Sequence, residues 1–235
     1  MDENGQKLPI ARNNMVGRFS RLVVAMTIRM PKWFVGWVSR RYVAGTKLSD
    51  AVKVMQRLSK EGACFTIDVL GEEITSMEEA TFFLEEYKRV ISAIIENDLD
   101  SNLSIKPTAF GLLLDREKGM ENIETLVKMA QGYDMFVRLD MEDHRVTEDT
   151  IQVMLDMHQK GLTNVGVVLQ GRLFRTLDDI ERIKEILGPN ADYRICKGIY
   201  LEPEEISHTD RKPIIDATNK CICLLYTSPS PRDDR

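Results

Sequence analysis

The sequence contains no run of 18 uncharged apolar residues, so neither a membrane-spanning helix nor a secretory signal is expected. Its most apolar early stretch, Leu22 to Val38, is interrupted by Arg29, Pro31 and Lys32. There is no surplus of positive charge: 32 basic residues stand against 37 acidic ones, a net charge of −5, which removes the electrostatic footprint of a nucleic-acid binder. The four cysteines, Cys64, Cys196, Cys221 and Cys223, are spaced too irregularly for a disulfide framework or a zinc pattern. The three histidines are scattered and give no metal-ligand spacing, so no metal is expected. No glycine-rich G-x-G-x-x-G follows any strand-like segment. What is present is 43% hydrophobic and 29% charged residues, the balance of a folded globular chain rather than a disordered one. These absences together predict a soluble, intracellular protein with no nucleic-acid partner.

The first 45 residues are basic, with Arg12, Arg18, Arg21, Arg29, Lys32, Arg40 and Arg41 interleaved among Phe19, Trp33, Phe34 and Trp37. Helices packing on a main domain account for this, because Trp and Arg snorkel on many ordinary helices; a membrane-surface amphipathic segment is the alternative. A clearer helix is predicted from Ser49 to Lys60, with Ser49 as cap and Gly62 as stop.

From residue 63 strands and helices alternate. Ala63–Leu70, Leu103–Lys106, Met135–Asp140, Val165–Gln170 and Tyr193–Lys197 read as strands. Between them, Ser76-Met-Glu-Glu79 is a capping box opening a helix to about Glu96, with Phe83, Leu84, Tyr87, Ile91, Ile94 and Ile95 on one side. Further helices are expected at about Gly119–Ala130, after a cap at Thr147, and from Thr176 to the stop at Gly188-Pro189. This alternation means parallel βαβ units, in either an open doubly wound sheet or a closed (β/α)₈ barrel. The missing phosphate-binding glycines speak against the open sheet. Every strand also ends on a polar or charged residue: Asp68, Lys106, Asp140, Gln170, and Arg194 with Lys197. Barrel enzymes build their sites from such strand ends, so an α/β (β/α)₈ TIM barrel is predicted.

The strand ends lie 38, 34, 30 and 27 residues apart, so about five strands fit into the sequence. Eight would carry the last strand to around residue 294, at roughly 32 residues per unit. The expected organisation is an N-terminal helical segment at 1–60, a partial barrel at 61–223, and a tail at 224–235. That tail, with Pro229 and Pro231, is expected to hold no regular element and to be non-native sequence on a C-terminally truncated product.

Lys106 ends a strand and should sit at the barrel mouth, either as a Schiff-base nucleophile or as a cation for a substrate carboxylate. In Arg138-Leu-Asp-Met-Glu-Asp143, the period of two puts Arg138 and Asp140 on one face. Pairing among Asp140, Lys106 and Arg194 is expected rather than metal binding. Those three groups would also suit an amino-acid zwitterion, with cations for its carboxylate and an anion for its amine. Arg194 lies within a strand, where an unpaired guanidinium is costly, so it needs a partner. Gly198, after Lys197, permits close approach of backbone to a ligand such as phosphate or flavin, and equally a tight loop with none. Gln170 offers amide donors and an acceptor suited to a heterocycle edge. On the residues alone, a Schiff-base aldolase using Lys106 or Lys197 and an inert partial barrel acting as a binding module remain alternatives.

Taken together, FTIDVLGE (65–72), LSIKPTAFG (103–111), VRLDMED (137–143), NVGVVLQGRLFRT (164–176) and YRICKGIYLEP (193–203) resemble proline dehydrogenase of the monofunctional bacterial type, in order and in spacing, over about residues 40–219. The resemblance implies a distorted (β/α)₈ barrel holding FAD at the strand ends. Such an enzyme oxidises L-proline to 1-pyrroline-5-carboxylate, with hydride transfer to the flavin and electrons passing to a membrane quinone. It would be cytoplasmic, with possible peripheral contact at the inner membrane face. The resemblance further implies Lys106 and Asp140 at the proline site, Arg194 against the reactive part of the flavin, and Met141, Gln170, Lys197, Gly198 and Ile199 in contact with FAD. It displaces the Schiff-base role of Lys106. Ile199 departs from the small residue usual in the family. The paired arginines of the family's last helix have no counterpart in the sequence, so this chain is expected to bind FAD poorly and to turn over little proline.

Overall fold

The structure is a computed structural model that describes residues 31, 42–45, 47–72 and 74–227. The chain divides into two compact units, Met1–Ala51 and Val52–Arg235. The basic and aromatic residues of the first unit lie almost entirely outside the described residues, and so do Pro229 and Pro231. Helix α1, Leu48–Ser59, begins in the first unit and continues into the second; it ends where Gly62 N–H reaches back to the Ser59 carbonyl.

Among its described residues the second unit holds five strands: β1 (Phe65–Ile67), β2 (Ser101–Ile105), β3 (Val137–Leu139), β4 (Val165–Gln170) and β5 (Tyr193–Cys196). They are all parallel and lie side by side in chain order, β1-β2-β3-β4-β5. A doubly wound sheet would reverse its order at a switch point. Sequential order is that of a barrel wall, so the sheet is part of a (β/α)₈-type barrel. Between the strands run α2 (Met77–Glu96), α3 (Arg116–Gln131), α4 (His144–Gln159) and α5 (Thr176–Leu187), and α6 (Arg211–Thr227) follows β5.

The period of two divides the sheet into unlike faces. Leu103, Ile105, Val137, Leu139, Val165 and Val167 are fully buried against the helices. Burial of each such side chain stabilises the fold by about 1.5–3 kcal/mol. The alternate residues, Ser104, Arg138, Asp140, Val168, Gln170 and Arg194, form the inner face and are mostly polar. Helix α2 shows how the helical side is made. Ser76 Oγ accepts the Glu79 N–H at 3.4 Å, as the capping box requires, and Ala80, Leu84, Tyr87, Val90, Ile91 and Ile94 form the buried stripe. Ile95, expected in that stripe, is 40% exposed instead, and Val90 takes the place.

Several boundaries differ from the sequence reading for identifiable reasons. Helix α4 is capped by Asp143, whose carboxylate accepts the Arg145 N–H at 3.0 Å. Thr147 is therefore not the cap: it lies inside the helix, buried, with its hydroxyl on the Asp143 carbonyl. Helix α3 starts at Arg116, because Asp115 accepts the Lys118 N–H. Helix α6 runs past Cys223 to Thr227, with Leu224 and Leu225 partly buried against the core.

Candidate functional site

The register sets the site. Ile105 pairs with Leu139 and Leu139 with Val167, so the residues that follow them, Lys106, Asp140 and Val168, share one level; Val168 in turn pairs with Arg194. One level higher, Gln170 pairs with Cys196. One charged level and one amide level thus meet at the strand ends without any loop having to bring them together.

Arg194 Nη2 lies 2.6 Å from Asp140 Oδ1, which also accepts the Ser104 hydroxyl at 2.6 Å. Oδ2 of Asp140 has no hydrogen-bond partner recorded among the described residues. Arg194 has the partner its strand position demands, although its side chain is 49% exposed. Lys106 does not pair directly with Asp140 as expected. Its ammonium lies 2.6 Å from Asp68 Oδ2, at the end of β1. Burial alone would lower the Lys106 pKa, but the Asp68 bond and the fields of Asp68, Asp140 and Glu72 outweigh it and raise the ammonium above the ordinary lysine range. A Schiff-base lysine needs the opposite shift.

The rest of the acidic cluster is committed elsewhere. Buried Glu142 accepts the Thr108 N–H at 2.9 Å and its hydroxyl at 2.5 Å. Burial nevertheless pushes its carboxyl above the usual range. Asp143 caps α4 and pairs with Arg145. Arg138 leaves Asp140 behind, packing 4.8 Å from the centre of the Phe136 ring and pairing with Asp192 before β5. Gly166 makes room for it: a Cβ there would lie 2.8 Å from Arg138 Nη1.

A cleft of about 600 Å³ lies over these strand ends. Lys106, Asp140, Met141, Gln170, Arg194, Lys197, Gly198 and Ile199, the eight residues expected at the proline and FAD site, line it, together with Val168, Cys196 and Tyr200; Asp68 and Arg138 do not. Met141 is buried in its wall, while Ile199 is 87% exposed at its lip. Gln170 is buried; its Nε2 donates to the Glu142 carbonyl at 2.6 Å, but its Oε1 has no partner among the described residues. Gly198, with φ +92°, packs against that buried oxygen so closely that a Cβ there would come within 2.4 Å of it. A buried acceptor facing the cleft fits a heterocycle with an N–H edge, and a flavin has one. A second cavity of about 380 Å³, lined by His144, Thr147, Leu173, Phe174, Arg175, Glu205 and Ile206, contains none of the eight.

Sequence reasoning passed over four groups that organise the site: Asp68 as the partner of Lys106, Ser104 as that of Asp140, the hydroxyl of Tyr87, and buried Arg172, which donates to the carbonyls of Tyr200 and His208. Asp68 carried a signal, since it ends the first strand. Tyr87 carried none, because helical period counts it as one more apolar residue.

Residues 51–219 match the family model described as Proline dehydrogenase. The chain is 38% identical over 174 residues to Proline dehydrogenase 1 of Bacillus subtilis subsp. natto, covering 74% of this chain and 56% of that protein. It is 29% identical over 208 residues to Proline dehydrogenase 2 of Bacillus subtilis (strain 168), covering 85% and 67%. The chain thus spans little more than half the length of the first of these relatives. Its fold resembles the crystal structure of proline utilization A (PutA) from Bdellovibrio bacteriovorus inactivated by N-propargylglycine, with a TM-score of 0.73 at 18% identity, over 88% of this chain and 25% of that one.

Proposed function

The chain belongs to the proline dehydrogenase family, and from that premise we propose that its cleft serves the oxidation of L-proline to 1-pyrroline-5-carboxylate. The observation that supports this most directly is the pair of opposed charges at one level of the barrel mouth, Lys106 held by Asp68 and Asp140 held by Arg194 and Ser104. In this reading the Lys106 ammonium takes the substrate carboxylate. Asp140 has Oδ1 committed to Arg194 and Ser104, which leaves Oδ2 for the ring amine. An amino acid laid between them is oriented at both ends, which fixes the ring carbon next to nitrogen toward the Gln170 and Gly198 side of the cleft.

The cofactor in this reading is FAD, which takes up two electrons as hydride from the substrate and passes them to a membrane quinone. The residues present fit its ring system: the unpaired Gln170 Oε1 would accept from an N–H edge, Met141 and Val168 would give an apolar wall, and the Gly198 backbone would allow close approach. Arg194 and Lys197 supply positive charge for the reduced, anionic ring. Work against a quinone implies a cytoplasmic enzyme at the inner membrane face. Among the described residues no helix is long and apolar enough to cross a membrane, so that contact would be peripheral and would fall to the basic segment before residue 42.

The test is a single turnover. The chain is mixed with excess FAD under anaerobic conditions and L-proline is added. Slow loss of the flavin's visible absorbance, dependent on proline and absent with D-proline, is expected. A chain that binds FAD and shows no such loss overturns the activity, and borohydride trapping of a carbonyl substrate on Lys106 would replace it with aldol chemistry.

A further inference from the structure

Tyr87 is fully buried on α2, its ring tilted against Phe110 at 5.5 Å between centres, yet its hydroxyl touches three polar groups. It lies 3.0 Å from Asp68 Oδ1 and 2.7 Å from the Ser104 carbonyl, and it accepts the Val69 N–H at 3.0 Å. With one proton to give, the Tyr87 hydroxyl shares it between the Ser104 carbonyl and Asp68 Oδ1, while Lys106 holds the other Asp68 oxygen. The grip matters because Asp68 lies just beyond a three-residue edge strand, where no ladder hydrogen bond fixes the backbone. Ser104, whose carbonyl Tyr87 also reaches, holds Asp140 through its side chain. One phenol thus stands behind both ion pairs of the cleft.

We propose that Tyr87 is a positioning residue: its hydroxyl fixes Asp68 and Ser104, and through them sets Lys106 and Asp140 at the spacing a zwitterionic substrate requires. Its role in substrate capture rests on the assignment of Lys106 to the proline carboxylate; its role in holding Lys106 does not. Burial and the neighbouring Asp68 charge raise the Tyr87 pKa far above the ordinary phenol range, so it remains a neutral donor at every working pH.

The test measures Lys106 directly. The chain is treated with limiting acetic anhydride, and acetylation of Lys106 is read by peptide mass spectrometry. Alkylation of Cys221, 1% exposed, in the same sample marks unfolded molecules. Tyr87→Phe keeps the ring on Phe110 and is expected to raise Lys106 acetylation about threefold to tenfold, the loss of roughly one hydrogen bond. Two further chains carry 4-methylphenylalanine or 4-aminophenylalanine at position 87, which preserve the volume and differ in the donor; only the methyl form should raise the rate. An unchanged rate in Y87F and in the methyl form, with Cys221 still protected, overturns the proposal. A second arm compares binding of L-proline and L-prolinamide by ligand-observed NMR in the wild type, Y87F and Lys106→Met. Loss of the preference for proline in both variants supports the full proposal. Raised acetylation with the preference unchanged in K106M leaves the positioning role standing and overturns the carboxylate assignment. Loss of preference in K106M but not in Y87F overturns the substrate role of Tyr87 alone.

Discussion

A methyl group on Gly198 would lie 2.4 Å from Gln170 Oε1. The position is doubly restricted, because φ is +92°, a conformation other residues reach only under strain. Gly198→Ala is therefore expected to lower stability by about 1–2 kcal/mol through the backbone. It is also expected to weaken FAD binding about tenfold by displacing the unpaired Gln170 acceptor. Gln170→Leu would remove the acceptor without backbone strain. Flavin fluorescence titration of both variants checks this: if the reading is correct they lose affinity together, while only G198A melts earlier from strain.

The Asp140–Arg194 pair separates function from stability. Arg194 is half exposed, so the pair contributes at most about 1 kcal/mol to folding. Asp140→Asn keeps an acceptor for Ser104 and leaves Arg194 solvated, so its melting temperature should stay close to wild type. Its proline-dependent flavin reduction should fall on the order of 100-fold, because the charge proposed to face the amine is gone. A variant that loses stability and keeps the reduction rate would reverse this assignment.

Much of the fold was legible because the period of two is strict here. Val137 and Leu139 must face the helices, and Arg138 and Asp140 must then face inward. Strand-end polarity located Lys106, Asp140, Gln170, Arg194 and Lys197, since the register of parallel neighbours brings their C-terminal ends together; Met141 and Ile199 came only from the family resemblance. Partner choice was not legible. Lys106 and Asp140 are level, but Lys106 turns to Asp68 on the other side, a matter of side-chain reach that spacing does not encode. The cap of α4 is hidden for a similar reason: Asp143 follows the acidic residues Asp140 and Glu142 in sequence, and the same carboxylate chemistry serves a site or a helix terminus equally well. Tyr87 was hidden because period cannot separate a ring that packs from a hydroxyl that bonds.

The raised Lys106 pKa has a signed consequence for stability. A base whose folded pKa exceeds its unfolded value contributes stability that is fully present below the unfolded value, about 10.4, and lost as pH rises through the folded value. The melting difference between wild type and Lys106→Met should therefore be constant from neutral pH to about pH 10 and change only above it. A difference that varied between about pH 6 and 9 would mean that Lys106 titrates there, as a nucleophilic lysine would.

Glu142 gives the opposite sign from the usual carboxylate. Its two bonds to Thr108 favour the ionised form, but burial outweighs them and the carboxyl is held above its ordinary range. The folded state therefore keeps its proton to higher pH than the unfolded chain, whose glutamates ionise near about 4.3. As pH rises from that value through the folded pKa, this group makes unfolding easier, the reverse of a salt-bridged Asp or Glu. Glu142→Gln retains both a donor and an acceptor for Thr108 and cannot ionise. It should therefore remove this pH-dependent loss, leaving the variant as stable as the wild type near pH 4 and more stable by neutral pH. Urea unfolding at a series of pH values measures the slope; a stability gap that widened toward acid instead would show that the Glu142 carboxylate is stabilised by its site, and that burial does not control it.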